Sequence, residues 1–358
     1  MDEFQDVMKK FTENDPDGNG KNDTYGMSPG GTMTCFNPLY HAFGVTTDYD
    51  LDKNNEPTYQ FLQPEFKNFL TWANDMYKKG YIDPQFAANT ANTDDRENFA
   101  NGTSGILITN GYSHVQWIVN RVESKNGKGT CTVGPAPVGT DTIGVKGAGG
   151  FSDWGGWWGG FSISKTCPDP HAALKFLNYI NGPEGNDLFH DGILGTHYNL
   201  VDGKVVPNVE ERDKEPQTTF YMVSDENGDK NPIGEHQLGT HFQAKLKWNE
   251  DETKFDYVVS DASIPYEYRS YFHLTDELNT LFSSRLTNIT CWPGTFTTRM
   301  NKVEDYSATF AINAIMGKDG YDLTNGWAAM LDKIEQNSYE WSKIKAMIKD
   351  VAHNCGII

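Results

Sequence analysis

The chain has 358 residues, of which 37% are hydrophobic and 13% aromatic. It is therefore long enough for two lobes around more than one core, and too apolar for a disordered polymer. Acidic residues outnumber basic ones by 49 to 30, for a net charge of −19 and a pI near 4.8. That balance repels nucleic acid and anionic membrane surfaces. It suits cations, neutral sugars or an extracellular setting, or serves solubility alone.

The first predicted element is a helix with Phe4, Val7, Met8 and Phe11 on one face. A polar loop comes next, and Gly26, Pro29, Gly30 and Gly31 then break helix. Pro64 opens a second helix whose stripe is Phe66, Phe69, Leu70, Ala73 and Tyr77, with Lys78 and Lys79 in the last turn and Gly80 as the stop. A short polar helix is expected over 94–101 and a buried strand over 105–109, then a helix starting near Ser113. Residues 123–160 are dense in Gly and Pro. Phe161 to Ser164 reads as strand, and Pro168-Asp-Pro170 leads into a helix that carries Ala173, Phe176, Leu177 and Ile180 on one face and is stopped by Gly182-Pro183. Asp202-Gly203 between apolar residues predicts a hairpin across Tyr198 to Val206. Residues 207–260 read as charged and irregular. The tail reads as three helices, near 304–316, 324–335 and 337–352, the last lined by Trp341, Ile344, Ile348 and Val351. Alternating strands and helices indicate an α/β protein with a helical tail.

The loop after the first helix places Asp15, Asp17, Asn19 and Asp23 at positions one, three, five and nine, with Gly20 at six. This is the spacing of a Ca²⁺ loop, with side-chain oxygens from those four residues and the backbone carbonyl of Lys21. The twelfth position is Gly26 and not Glu, and no second helix comes after it, so it is at most half an EF-hand. The alternative is a solvated Asp/Asn/Gly turn. Asp225, Asn227 and Asp229 are a weaker echo and read as a turn.

Trp154, Trp157 and Trp158 stand among Gly155, Gly156, Gly159 and Gly160, which offer little volume to bury them. Exposed aromatic faces of this kind stack on the C–H faces of sugar rings, although one or two could be core. Tyr112 and His114 come after the strand at 105–109, and Asp153, Trp292 and His197 are secondary candidates. The five cysteines Cys35, Cys131, Cys167, Cys291 and Cys355 form no C-x-x-C pair, and their odd number forbids a fully paired set. No H-E-x-x-H, P-loop or G-x-G-x-x-G occurs, and no catalytic residue is assigned. No apolar run reaches the ~18 residues of a membrane-spanning helix. No signal peptide is legible, and Met1 runs straight into helix, an abrupt start that suggests a fragment of something longer.

Three blocks give the chain a family likeness. They are Asp2-Glu-Phe through Asp15-Pro-Asp-Gly-Asn-Gly20 to Tyr25-Gly26; Trp72 with Met76-Tyr-Lys-Lys-Gly-Tyr-Ile-Asp-Pro84, Phe99-Ala-Asn-Gly102 and Gly105-Ile106; and Gly155-Gly-Trp-Trp-Gly-Gly-Phe-Ser-Ile-Ser-Lys165 with Ala172 to Ile180 and Pro183-Glu-Gly185. In this order they resemble the extracellular solute-binding proteins of ABC importers, the carbohydrate-binding lipoprotein group of Gram-positive bacteria.

The resemblance implies a two-lobed, type II periplasmic-binding-protein-like fold with its first lobe incomplete. Residues 1–138 would be mostly second lobe, 139–210 a crossover returning to the first, and 211–358 an irregular segment and helices packing across both. It also implies a carbohydrate, an oligosaccharide by the aromatic content, held between lobes by Trp154, Trp157, Trp158, Tyr112, His114 and Asp153, without catalysis. A structural Ca²⁺, a monomer, a membrane permease as partner and an extracellular, lipid-anchored intact form belong to the same expectation. The rivals are a fragment of a glycoside hydrolase, which needs only two suitably spaced carboxylates, and a calcium-stabilised adhesion module.

Overall fold

The computed structural model describes residues 1–46, 49–109, 134–149, 292–336 and 338–358 throughout. Between them it describes 122, 151–152, 163–181, 184–185, 188, 192–208, 210, 220–224, 230–234, 244–248, 255–259, 281–282 and 286. The chain divides into two compact units. One comprises Met1–Thr109, Pro135–Trp158 and Thr275–Ile358, and the other Asn110–Gly134 and Gly159–Leu274.

The first unit begins with α1 (Asp2–Glu13), which carries Asp2 and Glu3 at its positive end and Lys10 at its negative end. Met8 is fully buried, whereas Val7 lies at the edge of the expected stripe and is 39% exposed. The helix lies directly on β1 (Tyr25–Met27). The contact is so close that a Cβ on Gly26 would stand 2.6 Å from the Cβ of Met8, so only glycine fits there. After β1 come a 3₁₀ turn (Met33–Phe36) and α2 (Asn37–His41). Next is a small antiparallel pair, β2 (Tyr49–Leu51) and β3 (Pro57–Tyr59).

Helix α3 (Pro64–Lys78) buries Phe66, Phe69, Leu70, Trp72, Ala73 and Met76; this is the stripe read from the sequence with Trp72 and Met76 added and with Tyr77 only half-buried at its end. Its aromatic rings meet those of Phe36, Tyr40, Phe43 and Phe61 at centroid distances of 5.0 to 6.0 Å, mostly edge to face. Helix α4 (Asp94–Ala100) leads to β4 (Ser104–Ile106), shorter than the strand expected over 105–109. β4 pairs with β1 in parallel, Tyr25 opposite Ser104 and Met27 opposite Ile106. Ile82 bridges Met27 on the other side, again in parallel. Three chain segments therefore end at one edge. β5 (Phe151–Ser152) pairs with a strand later in the chain.

In the second unit, α5 (Pro170–Asn181) has the predicted limits. Ile180 is buried, but Phe176 is 54% exposed. The helix turns most of its surface outward, so the expected inward face is reduced to its C-terminal end. The hairpin β6 (Tyr198–Val201) and β7 (Lys204–Pro207) forms as predicted, with Asp202 and Gly203 both at positive φ (51° and 76°). Two further hairpins occupy the stretch read as irregular. They are β8 (Phe220–Ser224) with β9 (Lys230–Gly234), and β10 (Ala244–Trp248) with β11 (Phe255–Val259). Ile163 and Ser164 are not strand; Phe161 and the helix expected after Ser113 fall outside the described residues, apart from Val122.

The chain returns to the first unit through β12 (Leu281–Phe282), the partner of β5. Helix α6 (Phe296–Ile315) starts earlier than predicted, because Phe296, Met300 and Val303 extend the buried stripe of Ser307, Phe310, Ala311 and Ala314. Asn74 of α3 donates to the carbonyls of Ala314 and Ile315 at 3.2 and 2.8 Å and so satisfies the helix end. Helices α7 (Asn325–Ile334) and α8 (Trp341–Asn354) complete the tail. α8 starts later than predicted because Glu340 sits in the left-handed region at φ 59°.

His41 is fully buried in α2, its Nδ1 2.7 Å from the carbonyl oxygen of Val45, which makes this nitrogen the donor of a neutral ring. Burial pushes its pKa from 6.5 down to about 4. The unfolded chain therefore takes up the proton first as pH falls. The corresponding stability is complete above pH ~6.5 and is lost toward pH ~4, and it amounts to about 3 kcal/mol. Chemical denaturation between pH 7 and pH 4 is expected to show this loss, and a His41→Gln variant is expected to lack most of it.

Candidate functional site

Two places in the first unit concentrate chemistry, the loop after α1 and the edge where the parallel segments end. In the loop, Asp15 is left-handed at φ 48°, and Gly18 and Gly20 are at 69° and 80°. The Asp15 carboxylate accepts from the backbone amides of Asn19 at 3.0 Å and Gly20 at 2.8 Å. The Gly20 amide chiefly holds its pKa below the usual carboxylate value. The Asn19 side-chain amide donates to Asp17 at 2.7 Å and to Asp23 at 3.1 Å, so these two carboxylates converge on one –NH₂ group. The Asn19 oxygen meanwhile accepts from the Lys21 amide at 2.8 Å.

The four side chains predicted as ligands are thus gathered in one exposed loop, and their oxygens are hard donors of the kind Ca²⁺ takes. Among the described residues, no group of three carboxylate, imidazole or thiolate side chains stands ready to hold a metal ion. The loop is joined to the fold through Thr24, whose hydroxyl donates to the Phe11 carbonyl at 2.6 Å.

The second place is built around Ser28, the residue after β1. Its hydroxyl donates to Asp83, the residue after Ile82, at 2.6 Å. It accepts from the amides of Asn89 at 3.1 Å and Asn98 at 2.8 Å. The Ser28 backbone amide donates to Ser104 Oγ of β4 at 3.0 Å. Asn89 also donates to the Pro29 carbonyl at 3.2 Å, and Gly31 donates to the Asn89 carbonyl at 2.9 Å. A Cβ on Gly31 would meet the Ala87 oxygen at 2.6 Å, so the loop is pressed onto the 86–91 segment.

This fixes residues 31–34 at the carboxyl edge of the parallel segments, where open α/β sheets carry their ligands. A cavity of about 1000 Å³ opens there. Its inner wall includes Tyr40, Gln60 and Phe61, all buried, with Tyr40 Oη donating to Gln60 Oε1 at 3.2 Å. Its other wall is the face of α6 opposite the core stripe, with Asp305, Thr309 and Asn313 in one row and Glu304, Ala308 and Ile312 in another. Lys318 and Tyr49 complete the rim. Tyr49 packs edge-on against Trp292 and Phe296 at 5.0 and 5.1 Å, and those two rings stack at 4.3 Å.

Of the sequence candidates, Trp292 is thus a packed member of an aromatic cluster beside the cavity. His197 accepts from the Ile193 amide at 2.9 Å and holds a turn in the second unit. Trp154, Trp157, Trp158, Tyr112, His114 and Asp153 lie outside the described residues. The cavity residues are not among the sequence candidates. Their only signals are Pro29-Gly30-Gly31 after a strand and the polar i, i+4 row on α6.

With this geometry in view, comparison defines the class. Residues 1–199 match the sequence model of the bacterial extracellular solute-binding protein family, and the chain belongs to that family. Two relatives come from Bacillus subtilis (strain 168). The polygalacturonan/rhamnogalacturonan-binding protein YtcQ is 27% identical over 242 residues, 63% of this chain and 44% of that protein. Lipoprotein LipO is 30% identical over 224 residues, 60% of this chain and 43% of that protein. The chain thus spans less than half the length of either relative.

Among solved structures, alginate-binding protein AlgQ2 without calcium ion superposes with a TM-score of 0.61 at 14% identity, over 98% of this chain and 67% of that one. Substrate-binding protein FusA of S. pneumoniae in complex with kestose gives 0.58 at 14%, over 100% and 68%. An HMO-binding solute-binding protein of Bifidobacterium longum infantis gives 0.57 at 17%, over 98% and 68%. The fold is that of the type II periplasmic solute-binding proteins, α/β with a helical C-terminal region.

Ser28→Ala removes the donor to the buried Asp83 and the acceptor for two amides. It is expected to cost ~1–3 kcal/mol, read by chemical denaturation. Amide exchange is expected to rise in residues 28–34 ahead of α3.

Proposed function

We propose that this chain is the solute-receiving part of an ABC importer, binding an oligosaccharide outside the cell without chemical change. The observation that carries this reading is family membership across residues 1–199. The cavity agrees with it in chemistry, joining aromatic side chains to hydroxyl, amide and carboxylate groups, the mixture that packs on sugar C–H faces and pairs with sugar hydroxyls. The polygalacturonan and rhamnogalacturonan in the name of YtcQ, and the kestose in the FusA structure, are carbohydrates as well. In this reading the Trp154–Trp158 segment, Tyr112, His114 and Asp153 supply further contacts. The two lobes close on ligand by a hinge, and the closed monomer docks on a membrane permease. The LipO likeness supports a lipid anchor on the intact protein. No described helix is long and apolar enough to cross a membrane.

A structural Ca²⁺ belongs to the same proposal. Asp15, Asp17, Asn19 and Asp23 would hold it through side-chain oxygens and Lys21 through its carbonyl. The ion would relieve the mutual repulsion of three carboxylates in one short loop and fix the end of α1 against β1.

Thermal melting against a panel of mono- and oligosaccharides, with Ca²⁺ or with EGTA, tests both parts. A bound sugar at 100 times its Kd adds ~2.7 kcal/mol, and the sugar is expected back uncut. EGTA is expected to lower the unliganded melting temperature, and Asp15→Asn is expected to abolish that difference. Thr309→Trp, at an exposed position on the cavity wall, is expected to remove the sugar response while changing unliganded stability by less than about 0.5 kcal/mol. A cooperative melt indifferent to every sugar contradicts the binding reading, and recovery of shortened sugar contradicts its non-catalytic part.

A further inference from the structure

The sugar-binding reading leaves the shape of the sugar open, and the proportions of the cavity bear on it. Helix α6 lines one wall from Glu304 to Met316, a separation of about 18 Å along the helix axis. A volume of about 1000 Å³ spread over that length leaves a mean cross-section of about 55 Å², or about 8 Å across. The cavity is therefore a lane, one sugar ring wide and about three rings long.

The helix wall suits a chain lying lengthwise. Ala308, Ile312 and Met316 recur at intervals of four and form a half-buried apolar strip. Asp305, Thr309 and Asn313 form a polar strip beside it. Residues four apart stand about 6 Å from each other along the axis, close to the repeat of one sugar unit in an extended chain. A pyranose has the same division, with C–H groups on its face and hydroxyls at its edge. Face down on the apolar strip, it turns its edge to the polar one. Asn313 donates its Nδ2 to the Thr309 carbonyl at 2.9 Å, which leaves its Oδ1 to accept from a sugar hydroxyl.

Ala308 has the smallest side chain of the apolar strip, so the middle of the lane stays open. Gly31 to Thr34 line the cavity from the loop side, where the Gly31 amide is tied to the Asn89 carbonyl. A branch directed across the lane from a middle ring meets one wall or the other.

We infer that the cavity takes an unbranched oligosaccharide lengthwise along α6, about three rings at a time. This inference rests on the sugar-binding reading and gives it a length, a direction and a demand for linearity.

The test measures Kd by titration calorimetry at fixed Ca²⁺ and ionic strength. Four series run from one to four rings: glucose to maltotetraose, xylose to xylotetraose, fructose through sucrose and kestose to nystose, and galacturonic acid to tetragalacturonate. Three branched tetrasaccharides accompany them. They are maltotriose glucosylated at C6 of its middle ring, xylotriose arabinosylated on its middle ring, and bifurcose, the branched isomer of nystose. In the series that binds, the trisaccharide is expected to bind at least about tenfold more tightly than the monosaccharide, equivalent to 1.4 kcal/mol. The fourth ring is expected to add less than about threefold. The linear tetrasaccharide is expected to exceed its branched isomer by at least about tenfold. Ala308→Phe, which narrows the middle of the lane, is expected to weaken the trisaccharide at least about tenfold and the monosaccharide by less. Circular dichroism and the unliganded melt check that this variant folds.

A monosaccharide that binds as tightly as its trisaccharide, or a branched isomer that matches its linear counterpart, overturns the inference and leaves the sugar-binding reading standing. A length dependence unchanged in folded Ala308→Phe overturns the assignment to this lane. Failure of every series to bind contradicts the sugar-binding reading itself, and the inference falls with it.

Discussion

The first unit depends on three chain segments ending together at one edge. β1, the bridge at Ile82 and β4 run in parallel, and Ser28 ties their ends together. Its hydroxyl joins Asp83 to Asn89 and Asn98, and its amide reaches Ser104. These groups are largely withdrawn from water, where a satisfied network rigidifies and a broken one is costly. The Gly30–Thr34 loop therefore leaves the sheet in a fixed direction, and with it one side of the cavity. The other side is fixed by α6, whose core stripe packs inward and whose C-terminal carbonyls are capped by Asn74. Core packing and site geometry thus share the same helices.

Electrostatics set the character of that site. The chain is strongly acidic, and the described cavity lining joins Glu304, Asp305 and Lys318 to neutral hydroxyl and amide groups. Polar groups on a rigid frame provide orientation, and aromatic and aliphatic surface beneath them provides contact area. The acidic loop after α1 is a separate device. Its carboxylates are held by backbone amides and by Asn19, and it joins the fold next to β1 and away from the cavity wall. A cation there would steady the start of the unit without touching ligand.

The sequence makes some of this legible and hides the rest for identifiable reasons. Helix α3 can be read because one face repeats apolar residues from Phe66 to Met76 between a proline start and a glycine stop. The Asp202-Gly203 hairpin and the loop spacing from Asp15 to Asp23 are similarly local signals. The cavity is not local. It joins residues 31–37 to the outer face of a helix near the chain's end, and no periodicity links the two. Helix α6 reads short in sequence because its first two turns include Thr and Asn, although Phe296 and Met300 continue the buried stripe. The hairpins between 220 and 259 escape a sequence reading because Phe220 to Val223 is an unbroken apolar run without alternation and its partner strand contains Pro232 and ends at Gly234, residues that argue against strand. The tryptophan-rich segment and Tyr112, prominent in sequence for their aromatic faces, lie outside the described residues.

Hydrogen exchange measured by mass spectrometry, on the Ca²⁺-equilibrated chain with and without the sugar that shifts its melt most, tests the central claim most directly. Sugar held at the carboxyl edge of the parallel segments slows exchange in residues 31–37 and along 304–313. It leaves 15–23 and the C-terminal half of α8 unchanged. Protection confined to the second unit, with both cavity walls exchanging as in the free chain, would contradict the account.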